Sequence, residues 1–150
     1  VSVAPIGSLD PRARPELTPP GVPIHPSSGP IVVVIEYHVL PEHAAEFVAA
    51  INELGRVRRR NGARGWSVSQ DLDATDRWIE RFESPTWTDH LRWRTRPTES
   101  DFEVRKRIGR LIIGEKGHVR RFVGRPPGSE PVGTALGQDR SVTVATGPNV

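Results

Sequence analysis

The chain contains no cysteine and no methionine among its 150 residues. Without cysteine there can be no disulfide, no thiolate metal site and no cysteine nucleophile. That composition fits a cytoplasmic setting, where disulfides are rare. Long apolar stretches are missing too. The longest, Ile31-Val32-Val33-Val34-Ile35, falls far short of the roughly 18 residues of a membrane span. Several motifs are also absent: a glycine-rich phosphate loop, a G-x-S-x-G elbow and an H-E-x-x-H pair. Nucleotide binding, serine hydrolysis and zinc proteolysis therefore have no sequence support in their usual forms.

Basic residues outnumber acidic ones by 21 to 18, for a net charge of +3, and almost all of the basic ones are arginine. This balance permits contact with phosphate or anionic lipid headgroups. The excess is too small to argue for nucleic acid.

The 15 prolines are unevenly spread. Residues 1–30 are rich in Pro, Gly and Ser without apolar periodicity and read as a linker. Residues 124–150 read as a second disordered tail. Between them, residues 31–123 are densely patterned. Residues 31–39 are rich in β-branched side chains and alternate as a strand. Ile31, Val33, Ile35 and Tyr37 share one face; Val32, Val34, Glu36 and His38 share the other. Pro41 can open a helix, whose buried stripe is Ala44, Phe47, Val48, Ile51 and Leu54. Arginines and Asn61-Gly62 close it.

Strands at 64–71 and 77–83 follow, joined by a turn through Asp73 and Asp76. Ser84-Pro85-Thr86 supplies a cap and a proline for a short helix carrying Trp87, His90, Leu91 and Arg94. A break near Pro97 precedes a second piece with Phe102, Ile108, Leu111 and Ile112 inward. A strand at 118–123 ends the domain. The order β-α-β-β-α-β is the ferredoxin-like α+β arrangement. One sheet face would be covered by helices and the other left open, bearing Val32 and Val34. An open apolar face implies a partner, most simply a second copy of the chain.

Several residues are candidates for chemistry. His90, one helical turn after Trp87, could act as a base or ligate a haem iron; equally, it could be a half-buried histidine bonded to backbone. Trp66, Trp78, Trp87 and Trp93 could line an aromatic ligand pocket or serve as core and interface residues. Glu36, His38 and Glu80 are expected together on the open face. There they could contact a ligand or form a solvated polar surface; no metal-ligand spacing is present. Arg56, Arg58, Arg59, Arg60 and Arg64 could contact phosphate or lipid headgroups, or simply complement the helix dipole as a solvated face.

Three segments carry a family resemblance. Gly29-Pro30-Ile31-Val32-Val33-Val34-Ile35-Glu36-Tyr37 is similar to a recurrent G-P-V-x-V-x-x-E-Y opening. It is followed in order by Leu54-Gly55-Arg56-Val57-Arg58-Arg59-Arg60-Asn61-Gly62-Ala63 and by Glu83-Ser84-Pro85-Thr86-Trp87-Thr88-Asp89-His90-Leu91-Arg92. Together they resemble the cytoplasmic C-terminal domain of major facilitator superfamily exporters of the transmembrane secretion effector, enterobactin-exporter-like group. That domain is in turn similar to the dimeric α+β barrel of antibiotic-biosynthesis monooxygenases.

The resemblance implies that Val1 is not the natural start, that transmembrane helices precede it, and that residues 1–30 link them to the domain. The expected role is then a regulatory or accessory domain at the inner face of the membrane. It would dimerise or bind a small aromatic ligand, without a cofactor. The alternative is a stand-alone monooxygenase, cofactor-free or haem-degrading, with His90 as its base or iron ligand. One departure bears on that alternative: the asparagine that such enzymes carry on the first strand has no counterpart here, and Glu36 and His38 occupy that region.

Overall fold

A computed structural model describes residues 19–94, 99–114 and 117–128. The elements are β1 (Ile31–His38), a 3₁₀ turn (Pro41–His43), α1 (Ala44–Arg60), β2 (Arg64–Gln70), β3 (Arg77–Ser84), α2 (Trp87–Arg94), α3 (Glu99–Leu111) and β4 (His118–Val123). All strand pairs are antiparallel and the sheet order is β2-β3-β1-β4. This is the ferredoxin-like α+β fold expected from the element order. The break expected near Pro97 lies outside the described residues. So do the expected tail segments 1–18 and 129–150 and the Trp93 side chain.

The core forms because the period-2 face of β1 meets the period-3.6 stripe of α1. Val33, Ile35 and Tyr37 are buried against Phe47, Ile51 and Leu54, with Phe82 from β3 and Val104 and Ile108 from α3. Phe47 sits 5.4 Å from the Tyr37 ring and 5.6 Å from Trp78. Such tilted ring pairs add to the area-driven gain of burial. At the end of α1, Gly62 takes φ 98°, a left-handed conformation that glycine adopts without the Cβ clash other residues meet.

Three expectations are corrected. Val104 and Asp101, not Phe102, lead the buried side of α3; Phe102 is only half-buried. The α2 cap is Thr86 rather than Ser84. The Thr86 hydroxyl accepts from the Asp89 N–H at 3.2 Å and donates to the Asp89 carboxylate at 2.8 Å, a reciprocal arrangement like a capping box. Ser84 instead finishes β3, fully buried.

Finally, the end of the supposed linker is packed. Trp87 and Thr88 donate their N–H groups to the carbonyls of Ser28 (2.7 Å) and Pro26 (3.0 Å), and Gly124 donates to Pro30 (2.9 Å). The first N–H groups of a helix lack intrahelical partners, and here the upstream chain supplies them. Gly29 is required at this contact, because a Cβ there would lie 1.9 Å from the Pro85 carbonyl oxygen.

Candidate functional site

The candidate residues fall into four separate places. On the open sheet face, His38 and Glu36 do come together. His38 Nε2 lies 3.0 Å from a Glu36 oxygen, and Nδ1 lies 3.4 Å from Asp76. Arg77 approaches Glu36 at 3.8 Å and Asp71 at 3.6 Å. The Ala74 and Asp73 N–H groups, aided by Arg77, hold the Asp71 carboxyl below its usual range. Among the described residues no group of three or more His, Asp or Glu is placed to hold a metal ion.

Glu80 is not part of that surface. Its β1 neighbour in register is Ile35, so it shares the helix-covered face and is 0% exposed. A buried carboxylate must be compensated, and three residues do so. Tyr37 Oη donates at 2.9 Å, Arg58 Nε and Nη2 at 2.5 and 3.0 Å, and Trp66 Nε1 at 2.8 Å. Burial and the Glu80 charge together push the Tyr37 hydroxyl well above its usual range. For Arg58, burial opposes the charged form, but the Glu80 charge and hydrogen bonds outweigh it and its pKa is raised.

Arg58 is thereby removed from the expected surface cluster. It is 9% exposed and its guanidinium lies 4.4 Å over the Phe82 ring. Helical phase could have signalled this: position 58 lies seven residues after Ile51 and four after Leu54, on the buried stripe. The only sequence sign for Glu80 was its place between Trp78 and Phe82 on one face of β3.

Trp66 and Trp78, for which the sequence leaves a ligand pocket and a core or interface role both open, pack against this core. Trp66 also lies over Gly55, where a Cβ would come within 2.7 Å of the indole. A neighbouring crevice lined by Val57, Arg58, Asn61, Ala63, Phe82 and Asp101 has a volume of about 10 Å³, about enough for one water.

Trp87 and His90 form the third place. Their rings lie 5.3 Å apart, and Arg121 of β4 sits 5.6 Å from the Trp87 ring. His90 is 1% exposed. Burial, reinforced by the charges of Arg94 and Arg121, lowers its pKa to about 4. The imidazole is therefore neutral near pH 7, but a substrate could reach it only if its cover moved. A haem does not fit at His90 in this geometry, because its iron would need an open approach to the ring. Arg56, Arg59 and Arg60 form the fourth place, exposed on the outer side of α1.

The fold is similar to that of solved α+β proteins described as antibiotic biosynthesis monooxygenases. A Caulobacter crescentus protein described as an antibiotic biosynthesis monooxygenase superposes with TM-score 0.58 at 18% identity, covering 67% of this chain and 93% of that one. A Bordetella bronchiseptica protein of the same description gives 0.55 at 21% identity, with 65% and 99% covered. A conserved protein from Methanosarcina mazei Go1 gives 0.56 at 16%, with 66% and 96% covered. At these identities the likeness establishes the fold alone. No curated protein matches the chain. The family model of the transmembrane secretion effectors matches residues 2–126, and the chain belongs to that family. Among the described residues no helix is long and apolar enough to cross a membrane.

Proposed function

We propose that this chain is a cytoplasmic accessory domain of a major facilitator superfamily efflux transporter, and that it pairs with a second copy of itself through its open sheet face. The observation that carries the reading is the apolar centre of that face. Val32 and Val34 on β1 lie there beside Phe122 on β4, with Ile79 on β3 next to Glu36. Phe122 is 52% exposed. Large apolar groups gathered on one uncovered face indicate an interaction surface. Membership of the transmembrane secretion effector family supports the transporter context.

Pairing is favoured over ligand binding within the fold, since Trp66 and Trp78 are committed to the core and Trp87 covers His90. The domain would tune transport by bringing two transporter copies together.

Analytical ultracentrifugation of the purified chain tests the pairing. A dimer is expected at roughly 10–100 μM, and Val34→Asp or Phe122→Asp should yield a monomer with an unchanged circular dichroism spectrum. A wild-type monomer throughout that range would remove the pairing claim. Fractionation of the native host with an antibody against the domain tests the transporter claim. The band should lie in membranes and be several times larger than 16.6 kDa. A soluble band near that mass would move oxygen-consumption assays on hydroquinones, with His90→Ala as the control, to the front.

A further inference from the structure

One end of the sheet is set by Ile31 with its partners Ser84 and Val123, and by Arg64 opposite Glu83. The upstream chain enters the domain at this end through Gly29 and Pro30. Helix α1 finishes there too, since only residues 61–63 separate its last residue from Arg64. Arg56, Arg59 and Arg60 follow i, i+3, i+4 spacing and so share one stripe of α1. All three are exposed, as are Arg64 and, two residues beyond β4, Arg125.

Like charges at this spacing repel. Among the described residues none of these arginines forms a salt bridge, whereas acids of the same end are engaged by other arginines. Glu83 binds Arg81 at 2.9 Å, Asp89 binds Arg92 at 3.5 Å, and Asp101 lies 3.7 Å from Arg105. Glu99 opens α3, where the helix dipole favours a negative charge. The dipole of α1 accounts for basic residues in its last turn. It gives no reason for Arg64 and Arg125, which lie outside the helix. Arg59 is also held in place, 4.9 Å over the ring of Trp66, whose indole is fixed by Glu80.

We propose that this arginine-rich end docks on an anionic bilayer surface, so that the domain faces the membrane at the end where the chain enters it. The inference rests on the transporter reading above for the presence of that membrane. A bilayer fits because the charges are spread over an end of the molecule rather than converging on a pocket. The apolar sheet face is a different side, so self-pairing leaves this end free.

The test is co-sedimentation of the purified chain with vesicles of phosphatidylcholine alone or with about one-quarter phosphatidylglycerol, a surface for polybasic segments. Pelleting is expected only with the anionic vesicles, falling steeply from roughly 50 to 200 mM salt. Each arginine near such a surface contributes about fivefold in partitioning, so Arg56→Glu with Arg60→Glu should weaken binding by at least about 25-fold. The same charge change on α3, Lys106→Glu with Arg110→Glu, should be mild by comparison. Thermal melts verify that both variants fold.

Equal loss in the two double variants would mean that net charge alone acts, and would overturn the proposed orientation. No binding to anionic vesicles, or equal binding to neutral ones, would overturn the docking itself. Tighter binding to single-stranded DNA than to the vesicles would overturn the choice of a bilayer. None of these failures touches the fractionation result, which judges the transporter reading independently.

Discussion

Along β1, Ile31, Val33, Ile35 and Tyr37 lie against the helices at 1 to 7% exposure, while Val32, Val34, Glu36 and His38 on the opposite face stay half-buried. Both faces carry β-branched residues and both hold ionisable groups. They differ in how those groups are satisfied. On the covered face Glu80 is enclosed by Tyr37, Arg58 and Trp66. On the open face Glu36, His38, Asp76 and Arg77 make longer contacts in reach of water. Composition already separates the two faces of β1, one wholly apolar or aromatic and the other half polar, and α1 and α3 cover only the first.

The comparison is broken most severely from the covered side. Glu80→Ala leaves Arg58 buried without its carboxylate, and loss of one partner of a buried pair costs about 3–5 kcal/mol. Urea denaturation should register this as a large fall in midpoint. A loss below 1 kcal/mol would mean that Arg58 swings freely to water.

A smaller effect is expected from pH. The His90 pKa is about 4 in the folded chain against 6.5 for the free group. Below pH 6.5 the unfolded chain therefore takes up a proton that the folded one refuses. The associated stability is full above that pH and is lost as pH falls toward 4. The loss should be of the order of 3 kcal/mol. It is read as the difference in denaturation midpoint between the wild type and His90→Leu, followed from pH 7 to pH 4. Parallel curves for the two would remove the buried neutral histidine.

Thr86→Ala should cost about 1 kcal/mol through loss of the α2 cap, visible as faster amide exchange at Thr88 and Asp89. The smallest effect on the monomer belongs to the open face. Phe122→Asp should change monomer stability by no more than about 0.5 kcal/mol, as for an exposed position, while weakening self-association at least tenfold. A variant that unfolds instead would place Phe122 in the core and erase the contrast between the faces.

Much of the fold was legible along the chain. The alternation of β1, the stripe of α1 and the glycine after Asn61 all act through nearest neighbours on one element, and each appears where local spacing puts it. The misplacements involve contacts between elements. Glu80 belongs to the covered face because its register partner is Ile35, and register is set by how β1 and β3 pair. Arg58 lies on the buried stripe by helical phase, but only its contact with Glu80 shows how a charge is held there. Residues 26–30 look like a linker until their carbonyls meet the bare N–H groups of α2. Trp66 and Trp78 share the covered sheet face and pack on one core, while Trp87 stands on α2 beside His90, a separation set by how the elements pack and not by local spacing.

The sequence by itself determined the order of elements, the apolar faces of β1 and α1, the absence of cysteine chemistry and the three segments that mark the family. Those features depend on residue type and on periods of two and 3.6, which are readable from spacing alone. Only the tertiary structure decided which charges are enclosed and which stay free. Charge burial is a property of the space between elements. The same arginine run holds Arg58 under Phe82 and leaves Arg56, Arg59 and Arg60 facing outward at the end where the chain enters.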